Sequence, residues 1–282
     1  MRKRIVIDGL FLLLNFLFTT LVIFLIYQII AFIFKNGTPV IYNHLRGISY
    51  NASLSLNYLL PLIVSTLILT IATIFIVVPL GVLAAVYLTE FAKNNFLTKL
   101  IRQCIQTLAS IPSIIYGLFG MLIFVRMANF GLSLVAGSAT MAIMLLPLII
   151  TQTENALKSV AINYKEASAS LGATEFETIF RVVLPVAAPG IVVGVILAIG
   201  RTLSESAALI FTIGTFVRMP INRSSGFLSI FESGTSLTIR AFIEFKEYGN
   251  LEAATSIGVI TLILMLVLNF ISKVLSLKYQ KK

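Results

Sequence analysis

The chain has 282 residues, of which 58% are hydrophobic and 11% charged, and its 21 basic and 11 acidic side chains leave a net charge of +10. Soluble domains are about a quarter charged, so this composition excludes a soluble globule and identifies a polytopic membrane protein. Basic residues gather at the edges of apolar runs instead of forming a stripe, which argues against nucleic acid as a partner and for membrane lipid. One cysteine, Cys104, and one histidine, His44, leave neither an intramolecular disulfide nor a histidine-based metal site, and no cofactor is expected.

A helix needs about 20 apolar residues to cross the hydrocarbon core. Cutting the chain at its polar interruptions predicts an all-α fold with six transmembrane helices, at 10–34, 58–88, 111–127, 134–151, 186–211 and 253–275. They form one transmembrane domain over 10–275, with short segments 1–9 and 276–282 at its ends. The first run follows Arg2, Lys3 and Arg4, is too long for the apolar part of a cleaved signal and has no small-residue cleavage site behind it, so it reads as a retained anchor. In the second, Pro79 followed by Gly81 predicts a bend. Gly117 and Gly120 in the third run, and Gly190 and Gly194 at GxxxG spacing in the fifth, predict close contact between helices. Ser113 and Tyr116 place hydroxyls beside the first pair, for which interfacial or back-bonded roles are the ordinary reading. Basic residues are densest on the side that would carry Arg2–Arg4, Lys93, Lys99, Arg102, Lys158, Lys165, Arg181, Lys273, Lys278, Lys281 and Lys282, which puts both termini in the cytoplasm. The opposite loop, 212–252, is long enough to translocate whatever its charge.

Between the fourth and fifth runs lies a cytoplasmic segment, 154–185, with two sets of capping signals. Asn163 and Glu166 read as a capping box and Gly172 as the left-handed residue that ends the helix they open. Thr174 and Glu177 repeat the box, and the second helix is expected to stop near Leu184, because Pro185 disfavours helical geometry in the residue before it. The first helix offers Glu166 with Ala167, Ser168, Ala169 and Ser170, small side chains that let another backbone approach. Such a hairpin suits either a docking socket for a partner protein or an amphipathic element resting on the membrane surface.

The fifth run carries Arg201 and Glu205 inside otherwise apolar sequence. A formal charge at mid-bilayer costs about 2.5–3.5 kcal/mol on insertion scales, and residues four apart share a helix face, so the two can pair. The pair either holds helices together or handles an anion, for which a guanidinium offers a two-pronged fork that stays charged in a poor dielectric. Glu205 would then neutralise Arg201 between cycles and accept from protonated oxygens of a phosphate.

Glu166-Ala167 with Gly172 six positions on and Leu184-Pro185 beyond resembles the EAA loop of ABC importer permeases, with Ser168 in place of the second alanine. Pro112-Ser-Ile-Ile-Tyr-Gly-Leu-Phe-Gly120 and Gly200-Arg-Thr-Leu-Ser-Glu205 are similar to signature stretches of phosphate permeases of the PstA type, and the resemblance runs through all six helices to Asn269. It implies a type I importer permease in the bacterial inner membrane that passes inorganic phosphate. The implied partners are an ATP-binding subunit docked on Glu166, Ala167, Ser168 and Gly172, a second homologous permease subunit and an extracytoplasmic phosphate-binding protein. Related permeases commonly read Gly-Glu-Thr-Ala-Pro where this chain has Ser204-Glu205-Ser206-Ala207-Ala208, so its fifth helix is expected to be straighter. No GxxxxGK[ST] occurs, so a separate chain must hydrolyse ATP. A permease for molybdate or sulfate and an ion-coupled carrier are the alternatives. The absence of histidine from the spans weighs against a membrane-embedded enzyme.

Overall fold

An apolar run in lipid has no water to bond its peptide groups, so it closes its hydrogen bonds within itself and becomes a helix. The computed structural model describes residues 2–47, 54–93, 95–220 and 230–280, and the regular elements among them are all helical. Lys281 and Lys282, which entered the orientation argument, lie outside the described residues. In chain order the elements are α1 (Arg2–Leu45), α2 (Leu56–Val86), α3 (Phe96–Ala109), α4 (Ser113–Gly120), α5 (Leu134–Lys158), α6 (Ile162–Ser170), α7 (Glu175–Thr178), α8 (Leu184–Ser204), α9 (Leu237–Lys246) and α10 (Leu251–Gln280). π-helical turns extend α2 over Tyr87–Phe91 and α4 over Met121–Met127, and another, Ile179–Val183, joins α7 to α8.

Among the described residues five helices are long and apolar enough to cross a membrane, and a sixth crossing exists only if α3 and α4, which meet at 99°, count as one bent span. With its π turn, α4 has 8 and 7 residues, roughly 22 Å at 1.5 Å per residue, too short for a bilayer core. The predicted spans 58–88 and 111–127 leave α3 outside any crossing. It is a helix because Asn95 caps it, accepting the Thr98 N–H at 3.0 Å. The elbow is closed by the Tyr116 hydroxyl, which donates to the Leu108 carbonyl at 2.8 Å.

The core is built around α5, which packs between α2 and α8. Leu69 and Val77 of α2, Met141, Leu145 and Ile149 of α5, and Ala198 of α8 are buried together. The helix α1 leans on α10, where Gly37 lies so near that a Cβ on it would stand 2.6 Å from the Thr255 carbonyl oxygen. The rest of α1 exposes Phe11, Phe16 and Phe24, the apolar surface that a membrane helix turns to acyl chains.

The helix α2 runs through Pro79 and Gly81 without interruption, and regular geometry is lost only at Tyr87. Gly81 admits the Ile149 side chain. The stop expected near Leu184 is corrected: Pro185 does not end the second cytoplasmic helix, since residues 175–204 form one long helical rod. The π turn at Ile179–Val183 widens the backbone one turn ahead of the proline, where its missing N–H and its ring would otherwise conflict with the α-helical ladder. Within the segment 212–252, α9 packs into the bundle. Ile239 and Ile243 of α9 are buried in the same cluster as Leu69 and Met141.

The double-capped segment is partly as expected. Gly172 has φ +80° and follows the end of α6, and the Thr174–Glu177 capping box is complete. Asn163, however, sits inside the first turn, and the N-cap is Ala161 with no side-chain bond. Only Ser159, Val160 and Ala161 separate the end of α5 from α6, and Val160 packs against the Ala156, Leu157 and Ile179 cluster. Burial of that valine therefore sets where α6 begins. Thr174→Val is expected to cost about 1 kcal/mol at this cap, seen as roughly fivefold faster amide exchange at Glu177.

Candidate functional site

Arg201 lies in the last turn of α8, and the chain leaves the helix at Glu205, whose ψ is 129°. The predicted fifth span, 186–211, is therefore broken, although this chain has neither the glycine nor the proline that would loosen it. The cause is local hydrogen bonding. Glu205 Oε1 accepts the Ala208 N–H at 3.3 Å and so caps the following turn, Leu209–Phe211. Its carbonyl oxygen accepts the Thr238 hydroxyl of α9 at 3.1 Å.

Arg201 Nε stands 3.7 Å from Glu205 Oε2, and the two side chains differ sharply in surroundings: 55% exposed for the arginine, 8% for the glutamate. The pair is thus formed, but only the carboxylate is buried. The guanidinium opens on a cavity of about 280 Å³ lined also by Tyr116, Pro147, Thr151 and Gln152. Among the described lining residues Arg201 has the one formal charge. Thr151 spends its hydroxyl on the Pro147 carbonyl at 2.8 Å, as Tyr116 does on Leu108. A guanidinium has five donors and Glu205 faces it through Nε alone, so the terminal nitrogens are the edge an oxyanion would meet. Gln152 was missed from sequence because the fourth run was cut at residue 151. It lies opposite Gly194 of α8, and the available signal was the helical period, which puts it on one face with Leu145 and Leu148.

The glycines stand where these helices meet. A Cβ on Gly117 would lie 2.7 Å from the Ala208 carbonyl oxygen, one on Gly190 2.7 Å from Ala156 Cβ and one on Gly194 2.8 Å from Gln152 Cβ, while Gly120 faces Thr140. In α10, Asn269 has a buried side-chain oxygen without a hydrogen-bond partner.

At the other end of α8, α6 exposes Glu166, Ala167, Ala169 and Ser170. Ser168 does not share that face. It is buried, and its hydroxyl lies 2.8 Å from that of Thr178, so the second small residue of the motif tethers α6 to the α8 rod. Around the small face stand Ile162, Tyr164, Phe176 and Leu171, the last 90% exposed. Sequence reasoning overlooked this apolar rim; Leu171 just before the left-handed Gly172 was the available signal.

The architecture is that of the membrane-spanning component of a type I ABC importer. It matches the structure of a bacterial ABC transporter involved in the import of the acidic polysaccharide alginate with a TM-score of 0.70 over 99% of both chains, and the 16% identity makes this a likeness of fold. Residues 77–281 match the binding-protein-dependent transport system inner membrane component, and the chain belongs to that family. It is 35% identical over 214 residues to the probable phosphate transport system permease protein PstA of Methanocaldococcus jannaschii, covering 75% of this chain and 74% of that protein. With the probable ABC transporter permease protein YqgI of Bacillus subtilis it shares 43% identity over 142 residues, which span 50% of this chain and only 48% of the relative. The chain is a multi-pass permease subunit and is not itself an enzyme.

Proposed function

We propose that this chain is one permease subunit of an ATP-driven importer of inorganic phosphate, set in the inner membrane with both termini cytoplasmic. The observation that carries the reading is Arg201, a half-exposed guanidinium that is the single formal charge among the described residues lining a cavity between helices. A tetrahedral oxyanion meets such a group by two parallel charge-assisted bonds, and the similarity to a PstA-named permease agrees with phosphate as that oxyanion. Work enters through α6, whose small exposed face and apolar rim suit a groove in an ATP-binding subunit. A second permease subunit completes the path across the exposed side of the cavity, and an extracytoplasmic binding protein delivers phosphate to it.

The test is reconstitution of the chain in vesicles with its ATP-binding, second permease and binding-protein partners. Phosphate should raise ATP turnover and accumulate inside, and sulfate or molybdate in equal amount should not replace it. Accumulation driven by an ion gradient without ATP would establish the carrier reading instead, and a preference for molybdate or sulfate would reassign the substrate.

A further inference from the structure

Lys165 of α6 reaches Glu90, in the π turn that ends α2, with Nζ 2.6 Å from Oε2. The carboxylate side chain is only 8% exposed and the lysine 31%. The other carboxylate oxygen, Oε1, is buried with no hydrogen-bond partner, so Lys165 supplies the charge that compensates it. Beside the pair is an open cavity of about 300 Å³, lined also by Ala169, Ala173, Glu175, Thr178 and Ile179. The underside of α6 is therefore not packed solid against the bundle, and the ion pair bridges at the edge of a gap. Three residues on, along the same face, α6 is also held by the Ser168–Thr178 hydroxyl contact.

We infer that the Lys165–Glu90 pair is a transmission strut: it passes displacement of α6 to the end of α2, while Ser168 and Thr178 pass it to α8. The inference rests on the reading of α6 as the surface that an ATP-binding subunit presses. Its physical basis is that a buried carboxylate stripped of its one cation is left uncompensated, which is strongly unfavourable. Movement of α6 must then either drag Glu90 along or break a contact that is costly to break. Glu90 lies in a π turn, where one residue more than the α ladder requires is already accommodated and the backbone is readily reshaped. Two grips on one short helix, one leading to α2 and one to the rod whose last turn carries Arg201, turn a push at the surface into movement of α2 relative to α8. Both helices pack against α5, which carries the opposite wall of the Arg201 cavity.

The strut is tested in the complete transporter in vesicles, with ATP turnover and phosphate uptake recorded on the same preparation. Lys165→Glu and Glu90→Lys, made singly, should still co-purify with the ATP-binding subunit but lower the phosphate moved per ATP by about tenfold, the range of a coupling free energy. The exchanged pair, Lys165→Glu with Glu90→Lys, should restore that ratio to within about threefold of the unmodified chain, the signature of a direct pairwise interaction. A merely structural role would lower yield and both rates together. Should reversal at the buried Glu90 prevent folding, Lys165→Met gives the same reading from the more exposed side. An unchanged ratio in Lys165→Glu and Lys165→Met, or an exchanged pair no better than either single variant, overturns the strut. Failure of the unmodified chain to bind an ATP-binding subunit strikes the reading of α6 itself and is seen before any variant is made.

Discussion

Arg201→Gln is expected to reduce phosphate uptake by at least about 100-fold while the chain still co-purifies with its ATP-binding subunit. The estimate comes from two charge-assisted hydrogen bonds at roughly 1.5–3 kcal/mol each, of which a glutamine amide restores neither the charge nor the fork geometry, and each 1.4 kcal/mol is a factor of about ten. Folding should survive, because the arginine is half exposed and its contact with Glu205, at 3.7 Å, is not a close hydrogen bond. The Glu205 cap on Ala208 is independent of Arg201. Arg201→Lys separates charge from geometry: a point charge without the fork should retain part of the uptake. Equal uptake by unmodified and Arg201→Gln transporters would remove Arg201 from the path.

Gly117→Leu is expected to be among the most damaging single changes to the bundle. Its Cβ would arrive 2.7 Å from the Ala208 carbonyl oxygen and 2.8 Å from Ala208 Cα. Those are backbone atoms of a fully buried residue whose N–H is held by Glu205, so no side-chain rotation relieves the conflict. Overpacking of this kind costs about 1–3 kcal/mol or more. Here α4 would have to move away from the turn that positions Glu205, so thermal stability in detergent and uptake should fall together. Gly200→Ala is the control. A Cβ there meets nothing closer than Met265 Cε, at 3.6 Å, and its melting temperature should stay within a few degrees of the parent. A Gly117→Leu protein as stable as that control would refute the packing argument.

These two positions also show how far the residues alone could be read. Arg201 stood out because a charge within an apolar run is costly unless it is used, and that reasoning needs no coordinates. Gly117 was noticed for its spacing with Gly120, but nothing local says that the atoms it admits belong to Ala208, 91 positions away. Glu205 was read as the partner of Arg201 on one helix face. The structure keeps the partnership and ends the helix between them, because the carboxylate also caps the next turn and Thr238 of α9 bonds its carbonyl. Ser168 followed the same pattern: correctly singled out as small, it faces Thr178 and not the outside.

The all-helical class and five of the crossing helices were legible in the order of residues, since in lipid each peptide group must be bonded within its own segment. Gly172 and the Thr174–Glu177 box were legible too, their bonds being closed within four residues. What only the folded chain decided are the elbow between α3 and α4, the return of α9 into the core, the break at Glu205 and the Lys165–Glu90 link. The return of α9 and the Lys165–Glu90 link are held by groups distant in sequence, and the elbow and the break by side-chain bonds to backbone; one-dimensional periodicity has no term for which group a side chain will meet.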